Sequence, residues 1–161
     1  MKLTMKLKKN PKKRSLKKVL SHLEKLESLK LKVGYFEDQG IHAEANVPLA
    51  ALMYWQEYGL GDYPARFLFT ETSVHIAHYF KKKGNQFNAG IKHTIKNVGK
   101  SENSLNVIGK DFVTYMQELF GDTSVLGNNS PRTIAKKGRN EPLVETGQLK
   151  DSLTYRIDKE E

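Results

Sequence analysis

Only three stretches of this chain alternate apolar and polar residues with the period of two that is typical of a β-strand. They lie near residues 2–8, 30–36 and 152–157. Elsewhere the apolar residues recur at helical spacing, over about 16–26, 49–58, 70–98 and 104–120. Three short strands make only a small sheet, so the pattern predicts an α+β fold in which a small, mainly antiparallel sheet packs with four to five helices.

Capping signals give the expected ends of the first two helices. Ser15 is placed to cap the first helix, and Asn46 to cap the second, with Pro48 in its first turn. Gly59 follows the second helix, where a left-handed residue often ends a helix.

Gly84 is the expected break within 70–98. Lys81–Lys83 would then lie in the last turn of a helix, where positive charges interact favourably with the helix dipole. Gly121 follows the helix expected at 104–120. Residues 121–142 are rich in Gly, Pro and Asn and have no hydrophobic period. They predict a long loop or arm, and the sequence leaves open whether it is ordered or flexible. At 161 residues, the chain is predicted to be one domain spanning 1–161.

The net charge of +9 belongs to one segment. Residues 1–18 hold nine basic groups and no acid, and the remainder carries 18 basic and 18 acidic groups. Three interpretations stay open: a solvated lysine face, an arm that docks on an acidic partner, and a weak nonspecific contact with DNA phosphates. The basic segment consists of Lys2, Lys6, Lys8, Lys9, Lys12, Lys13, Arg14, Lys17 and Lys18.

Several classes of protein are disfavoured by composition. The chain has no cysteine, which excludes disulfides, thiolate zinc sites and thiol nucleophiles. It has no apolar run long enough to span a bilayer and no apolar stretch of a secretory signal near residue 1. We therefore expect a globular protein made inside the cell, with no membrane partner.

Catalytic motifs are absent from the sequence. There is no G-x-S-x-G, phosphate-binding loop or dinucleotide fingerprint. His75 and His78 have a spacing that could share a metal on a helix, but no carboxylate follows at metalloprotease spacing. We expect no enzyme, no cofactor and no metal, and keep a metal-dependent hydrolase around the two histidines as a minor alternative.

Four segments together resemble a family of small tailed-bacteriophage proteins of the neck, or tail-completion, type. They are residues 33–36 (VGYF), 49–59 (LAALMYWQEYG), 64–67 (PARF) and 129–155, which contains NSPRTIAKKG, PLVETGQL and SLTY. One position departs from the family pattern, because Phe67 stands where the family has proline. The motif residues that we carry over are Gly34, Glu57, Tyr58, Gly59, Pro64, Arg66, Phe67, Pro131, Thr133, Lys136, Pro142, Leu143, Thr146, Gly147, Leu149, Ser152 and Tyr155.

These motif residues are interpreted as structural. Arg66 is expected to donate hydrogen bonds to Glu57 or to backbone carbonyls, with a solvent-facing loop arginine as the alternative. Gly147 is expected to adopt a backbone conformation that favours glycine.

The resemblance implies a structural virion protein that joins the phage head connector to the tail and assembles as a homo-oligomeric ring, with six or twelve copies expected. Its implied partners are portal or adaptor subunits on one side and tail-terminator or tube subunits on the other. It would be made in the bacterial cytoplasm and reside in the virion neck or tail, with 121–142 as a candidate inter-subunit arm. The alternative is a small basic nucleic-acid-binding protein that uses residues 1–18.

Overall fold

A computed structural model describes residues 11–60, 64–96 and 101–159. The chain begins there with α1 (Pro11–Glu27) and β1 (Leu29–Gly34), followed by a 3-10 turn at Glu37–Gln39. A small hairpin of β2 (Ile41–His42) and β3 (Val47–Pro48) leads into α2 (Leu49–Tyr58). Then come α3 (Thr72–Lys96), α4 (Ser101–Glu118), α5 (Thr123–Leu126), α6 (Pro131–Lys137), α7 (Gln148–Asp151) and β4 (Thr154–Lys159).

The main sheet joins the strand that follows α1 to the last strand of the described chain. β1 pairs with β4 in antiparallel register, which places Leu31 opposite Ile157 and Val33 opposite Tyr155. These strands correspond to the segments predicted at 30–36 and 152–157, so the predicted α+β class is confirmed. The third predicted strand, at 2–8, lies outside the described residues, as do Lys2, Lys6, Lys8 and Lys9.

The core forms where α3 and α4 pack together. Tyr79 contacts Phe112 edge to face, with ring centroids 5.2 Å apart, and its hydroxyl donates to Asp111 Oδ2 at 2.8 Å. Burial and this carboxylate raise the pKa of Tyr79 above its usual value. The cluster extends from α3 and α4 to residues of α2, α5 and α7. Its buried members are Leu49, Met53, Leu68, Tyr79, Phe112, Tyr115, Met116, Leu119, Phe120, Leu126, Leu149 and Leu153.

The predicted beginnings of the first two helices were wrong. α1 begins at Pro11 rather than after Ser15, because proline suits the first helical turn, where its missing N–H costs nothing. Asn46 does not cap α2. Residues 47 and 48 pair with β2 instead, so that Pro48 directly precedes the helix and Asn46 takes a turn conformation with φ 52°.

The predicted break at Gly84 was also wrong, because α3 continues through it to Lys96. Lys81–Lys83 therefore lie in the middle of the helix. Lys82 reaches Glu118 at 3.1 Å and Lys83 reaches Asp111 at 3.3 Å, so these charges pair with α4.

α4 and β4 approach each other closely at a glycine that the sequence did not single out. A Cβ added to Gly109 would lie 2.4 Å from Cδ2 of Tyr155. The Tyr155 hydroxyl donates to Asn106 Oδ1 at 3.0 Å, which holds the ring against the helix. The tyrosine of the resemblance motif therefore fixes the distance between helix and sheet.

We predict opposite effects of the same substitution at two helical glycines. Gly109→Ala should lower the free energy of unfolding by about 1–3 kcal/mol, because the Tyr155 ring must move. Gly84→Ala should raise it by about 0.5–1 kcal/mol, since nothing lies within 4 Å and alanine favours helix. Urea denaturation of both variants checks this, and equal effects at the two sites would contradict the close contact.

Candidate functional site

Glu57 is a buried carboxylate that organises the turn between α2 and α3. Its side chain is 3% exposed, and its oxygens accept hydrogen bonds from the backbone N–H of Phe69 at 2.9 Å and of Thr70 at 2.5 Å. Hydrogen bonds to an ionised group are among the stronger ones in proteins. Glu57 therefore supplies hydrogen-bond acceptors to two backbone N–H groups that are not bonded within a helix.

Arg66 supplies hydrogen-bond donors to backbone carbonyls, as Glu57 supplies acceptors to backbone N–H groups. It is 7% exposed, and its Nη1 donates to the carbonyls of residues 126, 127 and 128 at 2.6, 3.1 and 3.0 Å. Its Nη2 donates to Asn129 Oδ1 at 3.1 Å. Burial lowers the pKa of the guanidinium below its usual value. The predicted bonding to carbonyls is confirmed, and the solvent-facing alternative is excluded.

The backbone next to Arg66 accounts for the departure from the family pattern. Phe67 has φ 40°, and its N–H points to the Glu57 carbonyl at 3.4 Å. Proline holds φ near −65° and has no N–H, so it does not fit this conformation. The corner that follows Arg66 is therefore built differently from a Pro-Phe corner.

The segment 121–142, expected as a loop or arm, contains α5 and α6. Ser130 caps α6 by accepting from the Thr133 N–H, with Pro131 as the first helical residue and Gly138 left-handed after its end. Lys137 is 10% exposed and donates to the Val144 carbonyl at 2.6 Å. The segment is thus folded back on the molecule through local caps and long side chains.

Side-chain hydrogen bonds also tie the segment that follows β1 to α7 and to the residue after it. The Tyr35 hydroxyl donates to the Leu149 carbonyl at 2.5 Å, and Gln39 Nε2 donates to the Ser152 carbonyl at 2.5 Å. Burial raises the pKa of Tyr35 above its usual value. Gly147 has φ 86° and ψ −14° at the beginning of α7, which confirms the glycine-favouring conformation. The four segments of the resemblance therefore meet in space.

An open groove of about 750 Å³ lies between three of these segments, 49–59, 64–67 and 129–155. Its lining mixes cations, from Arg132, Lys136 and Lys137, with the acids Glu44 and Glu145. Glu145 lies 3.7 Å from Lys137 and 4.0 Å from Lys136. The predicted residues that line the groove are Pro64, Arg66, Thr133, Lys136, Leu143, Thr146, Gly147 and Leu149.

The other predicted residues lie elsewhere. Tyr58 and Phe67 are exposed, at 57% and 47%, and Pro142 is fully buried. Gly34 lies opposite Thr154 in the sheet, and Gly59 ends α2 with φ 77°. Lys17 and Lys18 are exposed on α1, which also contains positions 12–14 of the basic segment.

Sequence reasoning missed the amide groups that hold the site together. Asn140 Oδ1 accepts from the Asn129 N–H at 2.9 Å, and Gln148 bonds to the backbone of residues 41 and 43. Such amides have no periodicity. The only sequence signal was the concentration of asparagine around residues 128–140.

The two histidines that are spaced to share a metal have different surroundings. His75 is 4% exposed within the core, whereas His78 is exposed, so the two histidines do not share a site. Across 11–60, 64–96 and 101–159, no group of three or more His, Asp or Glu side chains could hold a metal ion. None of the helices in these ranges is both long and apolar enough to cross a membrane.

Comparison with protein-family models, with curated proteins and with solved structures gave no match for this chain.

We predict that Arg66 is a main determinant of stability. Arg66→Met leaves the carbonyls of 126–128 without their donor and should lower the free energy of unfolding by about 2–4 kcal/mol. The matched control is Arg132→Met, an exposed arginine on the rim of the same groove, which should change it by less than about 0.5 kcal/mol. Urea denaturation measures both, and similar losses would contradict the role of Arg66.

We also predict that stability falls with acidity because of His75. Burial lowers the pKa of His75 below 6.5, more than the nearby Glu71 and Glu57 raise it, and Nε2 has no hydrogen-bond partner. The unfolded chain therefore takes up this proton first, so the contribution of His75 is fully present above pH 6.5 and is lost as pH falls from there through the lower pKa of the folded protein.

The test is to follow the denaturation midpoint from pH 7.5 to 5. His75→Gln should flatten the dependence, and the exposed His78→Gln should leave it as in the parent. An unchanged slope in His75→Gln would contradict the assignment.

Proposed function

We propose that this chain is a structural virion protein of a tailed bacteriophage, a neck or tail-completion subunit that joins the head connector to the tail. The observation that carries the proposal is the convergence of the four resembling segments. Arg66 binds the backbone carbonyls of 126–128, and Tyr35 binds the backbone carbonyl of Leu149, across 60 and 114 positions of sequence. In this chain, the motif residues that occur together in such a family hold the four segments together.

The exposed aromatic residues of α2 support an assembly role. Tyr54 and Tyr58 are 62% and 57% exposed, with ring centroids 4.8 Å apart, and Trp55 is 37% exposed beside them. Tyrosine and tryptophan are enriched where proteins bind one another, because they bury much area at little entropic cost. We assign this aromatic face to contact with an adjoining subunit.

We assign the subunit a place within a larger assembly. The subunit forms a ring, with six or twelve copies, between portal or adaptor proteins and tail-terminator or tube proteins. It is located in the virion and assembled in the host cytoplasm. No catalytic step, cofactor or metal is assigned to it.

We predict that a nonsense mutation in the gene, within the phage that encodes it, yields DNA-filled heads and separate tails in the electron microscope. Purified protein added to that lysate should restore joined, infectious particles. Replacing Tyr54 and Tyr58 by Ser should abolish this rescue in a folded protein, and the matched control Val107→Ser, 67% exposed on α4, should retain it. Normal particles without the protein would overturn the proposal.

The alternative is a basic nucleic-acid-binding protein, favoured by the concentration of charge in residues 1–18. It predicts DNA binding that weakens steeply between low and moderate salt and disappears on deletion of residues 1–14. Under the virion proposal, the deletion changes DNA retention but does not prevent head–tail joining. Filter binding on a salt series, with the rescue assay on the same variant, separates the two.

A further inference from the structure

α1 carries a line of leucines that the rest of the described chain leaves uncovered. Leu16, Leu20 and Leu23 are 61%, 51% and 43% exposed. None of them belongs to the buried core or to the partly buried residues packed against it. Positions i, i+4 and i+7 align on one side of a helix, so the three form a continuous apolar stripe. Single exposed leucines are ordinary, whereas an aligned stripe indicates a surface that binds something.

The charges along α1 point to the occupant. Its first half holds five basic residues and no acid, and its second half holds Glu24 and Glu27 beside Lys25. Lys17 and Glu24 are both exposed and lie seven residues apart, on the same flank of the leucine stripe. An antiparallel copy of the helix therefore brings each Lys17 to the partner's Glu24, while a parallel copy sets the basic halves against each other.

We infer that α1 binds the α1 of a second copy of this chain in antiparallel orientation. Leu20 lies near the two-fold axis, and Lys17 faces Glu24 of the partner subunit. This contact uses the same patch on both copies, unlike the head-to-tail contact that closes a ring. It is a separate surface from the aromatic face of α2 and does not rest on the proposed function.

Three half-exposed leucines from each copy bury less than the roughly 1,200 Å² of a stable protein interface. The dimer is accordingly weak, with a dissociation constant on the order of 100 µM. Sedimentation equilibrium on the full chain should show a monomer–dimer equilibrium in that range.

The orientation can be tested by disulfide cross-linking, since the chain has no cysteine of its own. Leu20→Cys, next to the axis, should form a disulfide dimer readily under mild oxidation. Leu16→Cys or Leu23→Cys alone should not, because the two copies of each position lie several residues apart along the helix. A mixture of those two variants should give the mixed dimer. Val107→Cys, exposed on α4, is the matched control.

Charge reversal tests the pairing. Lys17→Glu or Glu24→Lys alone should weaken the dimer about 5- to 10-fold, and the double variant should restore it to within about 2-fold. Circular dichroism of each variant confirms that α1 is retained. Leu20→Cys linking no better than Val107→Cys would overturn the dimer, equal self-linking of Leu16→Cys would overturn the orientation, and unaltered dimerisation of the single charge variants would overturn the ion pair.

Discussion

The guanidinium of Arg66 is a full charge placed almost out of contact with water, where the carbonyls of 126–128 replace its hydration shell. A segment of loop buried against a helical body normally has backbone groups that neither helix nor sheet satisfies. The planar guanidinium meets this need from two nitrogens at once, with Nη1 donating to the three carbonyls and Nη2 to Asn129 Oδ1. Glu57 accepts hydrogen bonds from the backbone N–H groups of Phe69 and Thr70, in the turn between α2 and α3. The packing of 121–142 depends on Arg66, and the turn that positions Arg66 depends on Glu57.

Periodicity was enough to identify the elements whose stability comes from an apolar face. β1, β4 and the long helices α3 and α4 lie where apolar residues alternate or recur, because burial of those residues is what holds them in place. The small helices α5 to α7 have no such face. They depend on caps, such as Ser130 on α6, and on glycines with positive φ, so their sequences show turn chemistry and not a period.

The site was harder to predict than the fold, for a physical reason. Arg66 and Glu57 could be singled out by residue type, but their partners are backbone atoms, which every residue has and no sequence reveals. The same holds for Gly109, whose importance comes from the ring of Tyr155 lying against it. Conversely, Gly84 was predicted to break a helix, but α3 continues through it. A long helix that packs against α4 tolerates one glycine.

The pairing of β1 with β4 has a consequence for how the protein is made. Leu29 and Lys159 face each other in the sheet, and the bond from Tyr35 to Leu149 spans 114 positions. Contacts between such distant parts of a chain form late, because the entropy cost of closing the long intervening loop comes before the contacts contribute any stability. During synthesis β1 therefore has no β4 to pair with until the ribosome has released almost all of the described chain. The full β1–β4 pairing can therefore form only once translation has passed residue 159, after the segments that Arg66 and Tyr35 bind have been made.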